Sequence, residues 1–282
     1  MSYRKTFNRS GCKSKIAKFI VPWFPKHKIY IEPFFGVGGM FFNKPVVRFN
    51  FLNDIDLDIY NLFVLLFEGR VQEIYDSFQL LPLHQMFFKD YFNKNLFEND
   101  PIKKAVRYLY LQNYSMHGQC YSLNLLRSTS KNCSLKKIIE TFDFLQELIK
   151  TNEIKFMNVD FRKMLDKICF SKGLLDKENS FIYCDPPYLG TGNNYKNAPK
   201  WTKNDFIDLL DALKNSKIRF AISEYANEEI RDLCKDYEIV KVCSKPVMMQ
   251  NRKVDEFLIV NYELPRAREL ETNALNESYK II

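Results

Sequence analysis

KIYIEPFFGVGGMFF (residues 28–42), followed by VVRFNFLNDID (residues 46–56), is the stretch from which the fold can be read. Ile29, Tyr30 and Ile31 form a short apolar run of β-prone residues, so Lys28 to Glu32 is expected to be a strand. The loop Pro33-Phe34-Phe35-Gly36-Val37-Gly38-Gly39 comes next, and a helix carrying Phe41 and Phe42 is expected from about Met40. Val46 to Leu52, apolar and β-branched, reads as a second strand running into Asn53-Asp54-Ile55-Asp56. Strand, glycine loop, helix, strand and terminal acid make the opening half of a dinucleotide-type α/β fold. Each part also has a plainer reading. Phe41 stands where GxGxxG has its third glycine, and no Lys-Ser/Thr follows as in a phosphate loop, so the glycines alone could mark a tight βα turn. Asp54, about twenty residues beyond the loop, is placed to accept hydrogen bonds from both hydroxyls of a ribose. It, Asp56 or Asp58 could equally cap the next helix.

Outward from this stretch, residues 1–27 are basic, and a short helix is expected over Lys15 to Phe24, stopped by Pro22 and Pro25. From Ile59 to about Ile149 strand-like runs disappear. Helix-compatible segments replace them, Ile102 to Leu111 and Leu135 to Ile149 among them, with a polar stretch, Asn113 to Cys133, between the two. Strand patterning returns at Ile154 to Val159, Phe181 to Cys184, Arg219 to Ser223, Glu238 to Cys243 and Phe257 to Tyr262, with a helix over Lys203 to Lys214. The chain therefore reads as a discontinuous α/β domain, residues 1–60 and 150–265, interrupted by a mostly helical insertion, residues 61–149, and trailed by a polar tail, residues 266–282.

With 282 residues, 46% of them hydrophobic, the chain can bury a sizeable core. Its net charge of +8 favours a polyanionic partner, although Lys is also a residue that an A·T-rich genome supplies without functional demand. Seven cysteines, an odd count with no CxxC pair, argue against a zinc ribbon or a disulfide framework and for a reducing cytoplasm. His27, His84 and His117 are the only histidines, too few for histidine-based metal catalysis, so no metal is expected. No run of about 18 apolar residues and no signal core appears, so neither a membrane span nor secretion is expected.

The sharpest chemical signal is Asp185-Pro186-Pro187-Tyr188, which follows the apolar run Phe181-Ile182-Tyr183 and so projects from the carboxyl end of a strand, where open α/β sheets place their ligands. Two prolines fix φ and remove two backbone donors, leaving stiff carbonyls. The Asp185 carboxylate and the Pro186 carbonyl can then accept both hydrogens of one amino group. An exocyclic amine is a poor nucleophile because its lone pair is delocalised into the ring. Accepting both protons in a fixed geometry draws that pair out of the plane, toward a methyl sulfonium. Tyr188 offers a face for the base to stack on. A proline-rich turn after a strand is the bland alternative.

The order glycine loop, insertion, then Asp-Pro-Pro-Tyr resembles the Dam-type (alpha-class) DNA adenine-N6 methyltransferases over about residues 8–262. Asn8-Arg9-Ser10-Gly11-Cys12-Lys13 is similar to their Trp-Ala-Gly-Gly-Lys segment, whose lysine and aromatic help hold the cofactor; Lys13 and Gly11 match, while Arg9 replaces the aromatic and Cys12 the second glycine. Glu32-Pro33-Phe34 with Gly36 and Gly38 matches their cofactor loop, and Asn53-Asp54-Ile55-Asp56 their ribose-binding segment. Asn158-Val159-Asp160-Phe161 resembles their Asp-Phe pair, which implies Asp160 at the cofactor adenine amine and Phe161 packed beside it; an ordinary helix cap is the alternative for Asp160. Ala105 to Gln112 looks like the helix opening into their recognition loop, and Glu256 to Tyr262 like their closing strand. The resemblance implies a Rossmann-like S-adenosylmethionine-dependent methyltransferase fold with a target-recognition insertion at residues 61–149. It also implies S-adenosylmethionine as cofactor, and double-stranded DNA whose target adenine is flipped into the pocket.

Where members that read GATC carry Arg-Tyr-Asn and then Phe-Asn-Val-Pro, this chain has Gly118 to Arg127 and no such run, so the recognition sequence is not carried over. Arg127, Lys131, Lys136 and Lys137 are candidates for phosphate contacts; for the two last lysines a plain solvated helix face competes. Cytosine's amino group or RNA would satisfy Asp-Pro-Pro-Tyr as well, since it demands only a planar amine. A non-catalytic nucleic-acid-binding protein is the rival of another class, but binding alone would need none of Asp54, Asp160 and Asp185.

Overall fold

The computed structural model describes residues 7, 9, 11–82, 84–93, 99–115, 131–170, 176–190, 198–225, 227–246 and 253–264. Seven strands form one sheet: β1 (Ile29–Glu32), β2 (Phe49–Asn53), β3 (Glu153–Met157), β4 (Ser180–Cys184), β5 (Arg219–Tyr225), β6 (Glu238–Pro246) and β7 (Lys253–Val260). Their order across it is β3-β2-β1-β4-β5-β7-β6, parallel except for β7, which runs antiparallel between β5 and β6. This is the Rossmann-like α/β architecture expected from the sequence.

Alternation along the strands explains how both faces are covered. Tyr30, Phe181, Tyr183, Ala221 and Leu258 point to one face, where they join Ile59, Leu62 and Phe63 of α2 (Leu57–Phe67) in one core. Ile31, Ile182, Ile222 and Ile259 point to the other, against α7 (Phe161–Phe170), α8 (Lys203–Ser216) and α9 (Glu228–Leu233). The chain changes direction across the sheet between β1 and β4, and their register, Ile31 opposite Ile182, sets Glu32 beside the end of β4. A crevice at the carboxyl ends of these two strands is the natural ligand position.

Between β2 and β3 the chain is helical in its described residues: α2, α3 (Val71–Gln79), α4 (Gln85–Asn93), α5 (Pro101–Tyr114) and α6 (Lys131–Thr151). Asp100 caps α5 through the Ile102 amide at 2.9 Å, with Pro101 in the first turn. α5 lies in the middle, packed on α2, α3 and α4, and its run from Ala105 to Tyr114 is buried throughout. A helix buried on all sides loses its polar face, which explains why Arg107 there pairs with Asp58 of α2 at 3.9 Å.

Three expectations about local structure do not hold. No helix follows the glycine loop: Phe41–Asn43 is one 3₁₀ turn, and Lys44 is already extended, as suits a residue preceding Pro45. The segment before β1 is likewise broken into 3₁₀ Lys13–Lys15, α1 (Ala17–Ile20) and 3₁₀ Val21–Trp23, because Pro22 removes a donor one turn in. β7 begins before Phe257 and stops at Val260; beyond it the Asn261 side chain takes over the pairing, accepting from the Phe220 amide at 2.7 Å and donating to the Ile218 carbonyl at 3.0 Å.

Candidate active site

A cleft opens at the carboxyl ends of β1, β2 and β4, lined among others by Glu32, Phe34, Gly36, Asp54, Asp160 and Asp185. It holds about 1000 Å3 of empty space counting its mouth, enough for a nucleoside-sized ligand. Arg9, Lys13 and Phe161 also line it, so the sequence candidates for cofactor binding converge there, with one exception. Gly38 is not on the cleft wall. It has φ of +73°, and a Cβ added to it would run into the Phe42 ring and lie 2.8 Å from Phe35, so this glycine makes room for the aromatic core beneath the loop. Gly39 serves a close approach of another kind, since a Cβ there would sit 2.9 Å from the Lys13 amide.

Asp54 ends β2 and is almost fully buried. Its Oδ2 accepts the Gly36 amide at 2.6 Å and its Oδ1 the Asp56 amide at 2.9 Å, so the acid ties the glycine loop to the strand end. Burial pushes its carboxyl pKa up, and the nearby Arg9 opposes that shift. The capping alternative falls to its neighbour: Asp56 caps α2 through the Asp58 amide at 3.1 Å. Arg9 holds Asp56 at 2.9 Å and the Tyr108 hydroxyl at 3.3 Å, linking the cleft rim to α5. Asp160 does act as a cap, accepting the Arg162 amide at 2.9 Å at the start of α7. It still faces the cleft, where Arg162 bridges it to Asp205 and Asp208 at 3.3, 2.6 and 2.7 Å respectively.

The far wall is aromatic. Phe34, Phe161 and Trp201 meet with ring centroids 5.4 to 5.6 Å apart, Trp201 standing edge-on to Phe34 at 89°. Trp201 precedes Thr202, whose capping box with Asp205 starts α8. Its indole Nε1 is shielded from water and has no hydrogen-bond partner among the described residues.

Beside the cleft lies a second, tighter cluster. Asp185 leaves the end of β4, and the buried Lys13 ammonium reaches its Oδ1 at 2.6 Å. The same ammonium is 3.8 Å from Glu256 Oε1 and 4.6 Å from the centre of the Tyr188 ring. Tyr188 donates its hydroxyl to Glu256 and meets the edge of Tyr225 at 4.4 Å. Pro186 is buried and Pro187 lines the cleft. Glu224 on β5 accepts the Leu189 amide at 3.3 Å and the Tyr225 amide at 2.8 Å, fixing the loop after Tyr188 from below. Burial raises the Glu224 carboxyl to about 8.

Glu256, Glu224, Tyr225 and Trp201 were not singled out in the sequence. A signal existed for Glu256, because the apolar run Phe257-Leu258-Ile259-Val260 begins directly after it; the structure buries both glutamates fully. The proposed phosphate contacts remain open: Arg127 lies outside the described residues, and so do the side chains of Lys131, Lys136 and Lys137 at the start of α6.

Residues 10–248 match the family model described as D12 class N6 adenine-specific DNA methyltransferase. The chain belongs to that family. Its members are named for adenine N6 and DNA, which favours them over the cytosine and RNA alternatives and over a purely binding protein. The chain is 28% identical over 275 residues to the DNA adenine methylase of Haemophilus influenzae, covering 89% of this chain and 90% of that one. It is 27% identical over 269 residues to the DNA adenine methylase of Salmonella typhimurium, covering 88% and 92%. Similarity to the type II methyltransferase M.FokI of Planomicrobium okeanokoites, 26% over 269 residues, covers 84% of this chain and 39% of that longer one. As a D12-class methyltransferase, the chain needs a methyl donor and DNA. No helix among its described residues is long and apolar enough to cross a membrane.

Proposed function

We propose that the chain transfers a methyl group from S-adenosylmethionine to the exocyclic nitrogen of an adenine flipped out of duplex DNA, with Asp185, Pro186 and Tyr188 forming the amine pocket. The observation that carries this reading is the Lys13–Asp185 contact at 2.6 Å: the carboxylate at the end of β4 already accepts an N–H from an amine, at the edge of the cleft.

The cleft fits the cofactor. The carboxyl groups of Glu32, Asp54 and Asp160 on its wall suit ligand hydroxyls and amines, which donate. The Trp201 Nε1–H, without a partner among the described residues, is the complementary case, a buried donor that an adenine ring nitrogen would satisfy. The loop also leads into one 3₁₀ turn, which offers no helix N-terminus for a pyrophosphate. S-adenosylmethionine carries none. When bound it supplies a methyl on a positively charged sulfur. Asp54 would hold the ribose hydroxyls, Asp160 the adenine amine, with Phe34 and Phe161 packed beside it. Lys13, Arg9, Glu32 and the Gly36 loop would enclose the remainder.

On the substrate side, Asp185 and the Pro186 carbonyl accept the two amine hydrogens and turn the nitrogen lone pair toward the methyl. Tyr188 stacks on the base, its ring fixed by Glu256 at the hydroxyl and by Tyr225 at the edge. Residues 1–60 and 150–265 form the catalytic part, and residues 61–149 recognise the target, with Arg127, Lys131, Lys136 and Lys137 as phosphate contacts. The reaction belongs in a reducing cytoplasm, where the buried Cys184 and Cys234 stay thiols.

The test is transfer of labelled methyl from S-adenosylmethionine to unmethylated duplex DNA, to RNA and to protein in parallel. Label in DNA alone supports the reading. Label in RNA alone, or in none while S-adenosylhomocysteine binds, contradicts it. Trp23 and Trp201 are the two tryptophans, so quenching of Trp201 emission by S-adenosylhomocysteine in a Trp23→Phe background checks the cofactor's position independently of activity.

A further inference from the structure

Arg162 stands in the first turn of α7, where the helix dipole opposes a cation, and the cap that starts the helix uses only the Asp160 side chain and the Arg162 amide. Helix stability therefore does not explain this side chain. Its guanidinium instead joins three acids: Nη1 donates to Asp160 Oδ2 at 3.3 Å, Nη2 to Asp205 Oδ1 at 2.6 Å, and Nε to Asp208 Oδ2 at 2.8 Å. It also lies over the Phe161 ring, 4.4 Å from its centre. We propose that Arg162 is a positioning residue for the cofactor, fixing Asp160 to receive the adenine amine and bracing Phe161 and Trp201 beside the adenine ring. The proposal rests on the reading given under Proposed function.

The contacts reach each residue that would surround the adenine. Asp160 Oδ1 accepts the Arg162 amide at 2.9 Å, and all the hydrogen bonds that the described residues give this carboxylate come from Arg162. Oδ2 has only the longer guanidinium contact, so it keeps lone pairs for a ligand N–H. Without the guanidinium the carboxylate could turn, and binding would have to arrest that rotation. Asp205 divides its oxygens in a similar way: Oδ1 takes Arg162, and Oδ2 takes the amide and hydroxyl of Thr202 at 2.8 and 2.6 Å. Thr202 directly follows Trp201, so the guanidinium ties α7 to the backbone that carries the indole. Phe161, packed against Phe34 and Trp201, has the same guanidinium over its ring. The Arg162 side chain is 38% exposed, so these ion pairs contribute little to the stability of the fold. Their effect is order: the carboxylate and both rings are set before the cofactor arrives.

The test uses the full chain and two ligands, S-adenosylhomocysteine and its analogue with hydrogen in place of the 6-amino group, each titrated by calorimetry. Wild type should bind S-adenosylhomocysteine at least about tenfold more tightly than the analogue, because only the former donates to Asp160. Arg162→Met keeps an unbranched stem against Phe161 but removes the guanidinium. It should weaken S-adenosylhomocysteine about tenfold and the analogue no more than about threefold, so that the preference between them falls at least about threefold. With S-adenosylmethionine at saturation, kcat should stay within about threefold of wild type. A merely structural arginine would weaken both ligands by one factor and leave the preference unchanged. Asp205→Asn loosens the guanidinium without touching Asp160, and it carries the test if Arg162→Met does not fold; it should lower the preference about twofold. The proposal is overturned if folded Arg162→Met loses less than about threefold of the preference or, in its place, if Asp205→Asn keeps the wild-type preference. Wild type is measured first. Its failure to bind S-adenosylhomocysteine, or equal affinity for the two ligands, overturns the underlying reading of the cleft, whereas a wild-type preference that Arg162→Met retains overturns this proposal alone.

Discussion

Two lysines are buried among the described residues, and their surroundings differ in a way that separates the chemical site from its support. Lys13 sits among Asp185, Glu256 and the Tyr188 ring, with carboxylate oxygens at 2.6 and 3.8 Å. Lys44, just past the glycine loop, has the face of Tyr30 at 3.8 Å and the Pro45 carbonyl at 3.0 Å. Glu32 is the acid nearest to it in effect, but that carboxyl is itself driven toward neutrality by burial and accepts the Tyr30 hydroxyl at 2.9 Å. Burial accordingly lowers the Lys44 pKa to about 7. A buried ammonium is held in ion pairs where the amine pocket needs charge, and is allowed to lose its proton where only packing is at stake.

The largest effect is expected at the functional end of this contrast. Asp185→Ala should cut methyl transfer at least about 10³-fold while S-adenosylhomocysteine binding, followed by calorimetry, stays within a few-fold. Next comes the cofactor cleft, which Lys13 lines and Lys44 does not. Asp54→Ala should weaken S-adenosylhomocysteine binding about 10- to 100-fold, as loss of charged hydrogen bonds does, with kcat at saturating cofactor largely retained. Equal losses of affinity in the Asp54 and Asp185 variants would erase the distinction between cofactor cleft and amine pocket.

On the supporting side, Gly38→Ala forces a Cβ into the rings of Phe42 and Phe35 at a positive φ. It should destabilise the fold by about 1–3 kcal/mol, read as a fall in the denaturant midpoint, and reduce cofactor affinity only through unfolding. Lys44→Met should have the smallest effect on activity, and it should leave the fold at pH 7 as stable as wild type or more so, because it removes a poorly paired buried amine that burial penalises when protonated. Its signature is in the pH dependence. The folded pKa of Lys44, about 7, lies below its ordinary 10.5, so between those values the unfolded chain binds more protons and stability gains with rising pH. That contribution is lost as pH falls toward 7, and Lys44→Met should flatten the slope across this window. An unchanged slope would show that Lys44 is not the buried base described.

Much of this was legible in the sequence where one short segment decides the structure. β1 and β4 are buried on both faces, so Ile29-Tyr30-Ile31 and Phe181-Ile182-Tyr183 read as strands without context. Asp54 and Asp185 directly follow β2 and β4, the two strands that flank β1 beside the switch in strand order, and position alone brings them to the ligand crevice. Other features depend on partners far away in the chain. Pro45 is visible five residues beyond Met40, but that the packing of Phe41 and Phe42 leaves only one 3₁₀ turn before it is not. Gly38 belongs to a familiar pattern, yet it is glycine because of two phenylalanine rings. Glu256 and Lys13 come from opposite ends of the chain, and only the closed sheet brings them together around Asp185. The capping role of Asp160 could not be told from its cleft position by sequence, because the structure gives it both.

The central claim is that this pocket methylates the amino nitrogen of adenine. The most direct test is to incubate the protein with S-adenosylmethionine and unmethylated genomic DNA and to identify the modified base by sequencing that distinguishes N6-methyladenine from N4-methylcytosine. N6-methyladenine at a fixed sequence, absent with Asp185→Ala, is the expected result. Methylated cytosine, or N6-methyladenine made at the wild-type rate by Asp185→Ala, would contradict it.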